Sequence, residues 1–127
     1  MTKKNLSLVS AIAWLAFVTV LLTLPGSAFP KENWLDLIWA DKWIHIGLFA
    51  VLVTLSCWAA SRRGIEINPL RNYFILFALL AVIYGTGMEF VQKYLIPNRS
   101  FDVLDIAADS IGSLIGLGFS LRKYIKK

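Results

Sequence analysis

YGTGMEFVQKYLIPNRSFDVLDIAADSIGSLIG, residues 84–116, runs out of one strongly apolar segment and into another. Between the two stand Glu89, Gln92, Arg99, Asp102, Asp105 and Asp109. If the flanking segments cross a membrane, these groups collect at one edge of the bilayer, where an uncompensated charge is costly. The fold therefore turns on whether the solvent of this chain is lipid.

Composition answers that. The chain has 127 residues, enough for one domain over 1–127. Hydrophobic residues make up 57% and charged residues 17%, against about 25% charged in soluble domains. Mean hydropathy is +0.65. The pI near 9.6 raises the question of nucleic acid. The basic residues, however, stand at the ends of apolar runs, which marks topology, and no nucleic-acid partner is expected. Cys57 is the single cysteine, so no intramolecular disulfide forms.

Working outward from the quoted stretch gives four spans, read as helices because backbone groups in lipid must be satisfied internally. The expected bounds are about 6–24, 43–60, 72–92 and 103–121. The first is uncharged for 19 residues, enough to cross about 30 Å of hydrocarbon, and Pro25 and Gly26 stop it. Lys3 and Lys4 before an apolar run resemble a signal peptide. The run is longer than the 7–15 residues or so of a signal core, so an uncleaved helix is expected. Lys3, Lys4, Arg62, Arg63, Arg71, Arg122, Lys123, Lys126 and Lys127 fall on one side; Lys31, Lys42, Lys93 and Arg99 fall on the other, with seven of the eight acids. The positive-inside rule then puts both termini in the cytoplasm. The expectation is an all-α, multi-pass membrane protein, a four-helix bundle with its polar cluster facing outward.

Helical spacing gathers the cluster. Asp41 and His45 are four apart; Gly85, Glu89 and Gln92 share a face; Asp102, Asp105 and Asp109 stand at i, i+3 and i+7. The last stripe continues into Gly112, Ser113 and Gly116, a GxxxG that permits close helix approach. Plain structural readings exist beside functional ones. Asp102 is a natural N-cap, Glu89 and Lys93 form an i,i+4 pair, and His45 is an interfacial histidine bonded to a carbonyl. Trp34, Trp39 and Trp43 read as an interfacial belt, Trp14 and Trp58 as packing residues. Asp109, a turn inside an apolar run, resists such an explanation.

ADKWIHIGLFAVL (40–52) and the opening stretch together resemble the VanZ-like membrane proteins. That family's pattern is D-K-x-x-H, then G-x-x-x-E-x-x-Q, an Arg, and D-x-x-x-N-x-x-G. Asp41, Lys42, His45, Gly85, Glu89, Gln92, Arg99, Asp105 and Gly112 meet it, over about residues 40–116. The family's Asn is Asp109 here, which adds a negative charge or a shared proton. The resemblance implies the bacterial cytoplasmic membrane and an association with low-level resistance to teicoplanin, a lipidated glycopeptide antibiotic acting on the cell wall.

Three functions compete. In the first, an outward pocket formed by Asp41, Lys42, Gln92, Arg99, Asp102 and Asp109 binds or modulates an envelope lipid, a lipid-linked cell-wall precursor or a lipoglycopeptide antibiotic, with Lys42 and Arg99 as phosphate contacts. In the second, an intramembrane enzyme acts on an envelope lipid. His45, oriented by Asp41, is its general base, and Glu89 and Asp105 are further acid–base candidates. No cofactor is expected, though a divalent metal on some of Asp41, His45, Glu89, Asp105 and Asp109 fits the donor set, Mg²⁺ or Mn²⁺ better than structural zinc. The third, a proton-coupled transporter, ranks last because nothing polar continues toward the cytoplasm.

Overall fold

A computed structural model describes residues 2–25, 27 and 38–125. Lys31, Glu32, Trp34, Asp36, Lys126 and Lys127, used above for orientation or the aromatic belt, lie outside the described residues. The regular elements among the described residues are all helices, with no strand: α1 Lys3–Thr23, α2 Ala40–Ser61, α3 Ile67–Leu95 and α4 Val103–Ser120, the last continuing into a π-helical turn, Leu121–Ile125. All four are long and apolar enough to cross a membrane.

The helix ends follow local chemistry. Thr2 caps α1 by accepting from the Asn5 amide at 3.2 Å, and Pro25 bars its continuation. Gly64, at φ 72°, turns the chain between α2 and α3. α3 is longer than the expected 72–92 because Asn68, Arg71 and Lys93 extend the helix past its apolar run. Its 29 residues span about 43 Å, so it reaches beyond the hydrocarbon. Ile96 precedes Pro97 and leaves the helical region, as residues before proline do. Asn98 then takes the left-handed conformation, φ 60°, that Asn tolerates. Asp102 starts α4 by accepting from the Leu104 amide at 2.9 Å.

Outward faces are apolar: Ile83 is 58% exposed and Leu114 64%. Side chains of this kind over the length of four helices need lipid around them. Inside, Val18, Phe49, Val53, Cys57 and Phe74 form a buried apolar core.

α2 and α4 make the most extensive contact between elements. A Cβ on Gly112 would collide with the Ile46 carbonyl oxygen, and one on Gly116 would lie 2.6 Å from the Ala50 carbonyl and 2.9 Å from the Val53 Cβ. The GxxxG is thus where α4 lies on the α2 backbone. α1 joins the core through Val18 and Leu22 and is also tied by polar bonds: Trp14 Nε1 donates to the Leu48 carbonyl at 2.9 Å, Gln92 Nε2 to the Leu22 carbonyl at 2.9 Å, and the Thr19 and Tyr84 hydroxyls bond one another. Trp14 is therefore a tether as well as a packing residue.

Gly112→Ala should lower the stability of the detergent-solubilised protein by about 1–3 kcal/mol, since backbone cannot rotate away as a side chain can. Gly87→Ala and Gly118→Ala, whose Cβ would meet nothing within 4 Å, should be neutral or gain up to about 1 kcal/mol from helix propensity. Thermal or denaturant unfolding of the three variants measures the contrast.

Candidate functional site

The site forms where the N-terminal ends of α2 and α4 meet the C-terminal end of α3, and the α2–α4 contact dictates its geometry. With α4 so close, residues one and two turns above Gly112 reach α2 directly. Lys42 Nζ donates to Asp41 Oδ2 at 2.5 Å, Asp102 Oδ2 at 2.7 Å and Asp105 Oδ1 at 2.8 Å. An ammonium has three protons, so Lys42 is fully engaged. Asp102 also joins α3, because its amide donates to Glu89 Oε2 at 3.1 Å. Its carboxyl is held below the ordinary carboxylate range, chiefly by the Lys42 hydrogen bond, which outweighs desolvation, with smaller help from the Leu104 amide and nearby charge.

One turn deeper, His45 Nδ1 lies 2.6 Å from Asp109 Oδ1. His45 is 7% exposed and Asp109 1%, so the pair is buried. With Asp109 ionised, Nδ1 carries the proton and donates, which leaves Nε2 as the lone-pair nitrogen of the neutral ring. Nε2 is 3.7 Å from Asp105 Oδ2, too far for a hydrogen bond. Asp109 Oδ2 is buried without a partner, packed where a Gly85 side chain would be: a Cβ there would lie 2.5 Å from it. Gly85 is needed because Asp109 fills its place.

Glu89, 1% exposed, is within hydrogen-bonding reach of Asp105. One donor atom each from His45, Glu89 and Asp105 lie within 4.8 Å of one another, and the same holds for Asp41, Asp102 and Asp105. The second group already surrounds the Lys42 ammonium. The first lies within the electrostatic reach of Arg99, through Glu89 and Asp105.

Arg99, on the loop between α3 and α4, lines a cavity of about 130 Å³ with Leu21, Leu22, Asp41, Ile44, His45 and Leu48. Burial lowers its pKa from the ordinary value, opposed by the charges of Asp105 and Glu89. It stays a cation.

The structure thus gathers Asp41, Lys42, His45, Glu89, Arg99, Asp102, Asp105 and Asp109, and corrects several pairings. The carboxylate oriented on His45 is Asp109, not Asp41; Asp41, in the exposed first turn of α2, turns to Lys42 instead. Lys42 is not available as a phosphate contact, because its donors are taken by carboxylates. Glu89 faces inward while Lys93 is exposed, its Nζ 5.1 Å from the Tyr94 ring centre, so the two do not pair. Gln92 is turned to α1. The contribution of α1 to the cavity, through Leu21 and Leu22, left no signal in the sequence, because those residues look like any lipid-facing pair.

No family model, curated protein or solved structure matches the chain.

Asp102 supplies a pH test. Its depressed pKa contributes stability that is present above the unfolded-state value and lost as pH falls through the folded one. Acid unfolding should therefore steepen below about pH 4. Lys42→Met should remove that acid-sensitive increment and destabilise the protein by more than Asp41→Asn, which touches an exposed pair worth about 0–1 kcal/mol. Unfolding midpoints from pH 3 to 7 distinguish the variants.

Proposed function

We propose that this chain is a VanZ-like envelope protein whose outer polar pocket holds the polar head of an envelope lipid, a lipid-linked cell-wall precursor or a lipoglycopeptide antibiotic. In this reading it is a four-helix bundle in the bacterial cytoplasmic membrane with both termini inside. The observation that carries it is the cavity bounded by Arg99, Asp41 and His45, set beside helix faces that contact lipid. A head group entering there keeps its tails in the bilayer while meeting a guanidinium suited to phosphate or carboxylate. The nine-to-four distribution of basic residues supports the orientation. The apolar packing of Phe49, Val53, Cys57 and Phe74 beneath the pocket weighs against a transport pathway.

The buried His45–Asp109 pair favours a second reading. A histidine that lines a cavity and has one nitrogen fixed by a carboxylate has the arrangement of a general base. In that case the protein is an intramembrane enzyme acting on the lipid it binds, with Glu89 or Asp105 as the partnering acid.

Arg99→Ala should reduce lipid carried through purification by about tenfold or more, the loss of one charge-assisted hydrogen bond or two. Native mass spectrometry reads this directly, and undiminished lipid would reject the head-group reading. For orientation, single cysteines in place of Ser100 and Arg63, on a background lacking Cys57, should label from outside and only after permeabilisation, respectively. The reverse pattern would invert the topology.

A further inference from the structure

The site has a charge problem. Asp41, Glu89, Asp102, Asp105 and Asp109 face two permanent cations, Lys42 and Arg99, and even a protonated His45 leaves carboxylates in excess. Lys42 neutralises the outer part of the cluster through its three ion pairs. It does not reach the inner part, where Glu89 and Asp105 approach one another beside His45. Two carboxyl groups at hydrogen-bonding reach need a shared proton or a cation between them.

The inner group has the form of a metal site. Asp105 divides its oxygens: Oδ1 takes the Lys42 ammonium, while Oδ2 faces His45 Nε2. The ring's other nitrogen, Nδ1, is held by Asp109 at 2.6 Å. A carboxylate on the far side of a histidine is the arrangement that orients metal-binding histidines and fixes their tautomer. The spacing agrees. Two ligand atoms each about 2.1 Å from one ion stand about 3–4.2 Å apart, from right-angled to opposite. The Nε2–Oδ2 separation, 3.7 Å, falls in that range, and a donor atom of Glu89 lies close enough to the cluster, within 4.8 Å, to close on an ion with a small adjustment.

We propose that His45 Nε2, Glu89 and Asp105 hold one divalent cation of the Mg²⁺ or Mn²⁺ class, with Asp109 as the residue that positions the histidine. This narrows five candidate ligands to three: Asp41 belongs to the Lys42 clamp and Asp109 lies behind the ring. The proposal rests on the head-group reading for its purpose. A pocket with surplus negative charge repels a phosphate, and a bound dication supplies the attraction that Lys42 cannot, with Arg99 as the second contact.

Mn²⁺ alone, titrated into the full-length protein in detergent and followed by electron paramagnetic resonance of the free ion, tests the site without any lipid. One saturable site is expected, together with a Mn²⁺-dependent rise in Tm. Glu89→Gln and His45→Gln should each weaken binding at least tenfold, Asp109→Asn about 10–100-fold, and Asp41→Asn not at all. Absence of saturable binding by the wild type overturns the proposal, as does an equal loss in Asp41→Asn, which would mark diffuse attraction to acids. Should a ligand variant fail to fold, the wild type and Asp41→Asn still decide. A parallel wash with chelator separates the two readings. Lipid kept by a protein that binds no Mn²⁺ ends the metal site and leaves the head-group pocket; Mn²⁺ bound by a protein that carries no lipid does the reverse.

Discussion

The contact of α4 with the backbone of α2 is the constraint from which the rest follows. Lipid offers no hydrophobic drive to bring two apolar helices together, so close van der Waals approach and interhelical polar bonds must do so. Gly112 and Gly116 supply the first by exposing bare backbone to the Ile46 and Ala50 carbonyls. Lys42 and His45 supply the second, from one side of the same interface. The two are mutually dependent. Without the glycines the carboxylates of α4 would stand too far from α2 for their partners, and without those partners the acids would have to leave the bilayer edge.

The site is therefore layered along the helix axis. The outermost layer is an ammonium clamped by three carboxylates, partly open to water; below it lies a histidine with carboxylates on both sides; below that is an apolar core. Polarity falls with depth in the order that desolvation demands. The clamp shields the inner layer from solvent while leaving Arg99 and His45 in reach of a cavity. α3 contributes by carrying both a large residue and a missing one: Glu89 reaches into the inner layer, and Gly85, a turn below, makes room for Asp109.

Much of this was legible in the amino-acid order. Four uncharged or nearly uncharged runs gave the helices, and the i, i+3 and i+4 offsets of Asp102, Asp105, Asp109, Glu89 and His45 indicated which groups share faces. The offsets could not give partners across helices. Asp41 lies one turn from His45 in sequence and Asp109 lies 64 positions away, so the local pairing was the natural expectation. The packing angle and depth of α4 reversed it. Gln92 shows the same limit, because its spacing matches Glu89 but its amide meets an orphan carbonyl at the end of α1. The ends of α3 were misplaced for a different reason: a hydropathy pattern marks where lipid ends, not where hydrogen bonding between successive turns ends.

The bare backbone at Gly112 and Gly116 also determines how this sequence can drift. Lipid-facing positions such as Ile83 and Leu114 need only remain apolar, and chance substitution among Leu, Ile, Val and Phe there leaves the architecture unchanged. The interface admits almost no alternatives, because each glycine is matched to a carbonyl and each buried acid to a particular cation or ring. The architecture is thus held by a sparse set of spaced positions, and the residues between them need only keep the chain apolar.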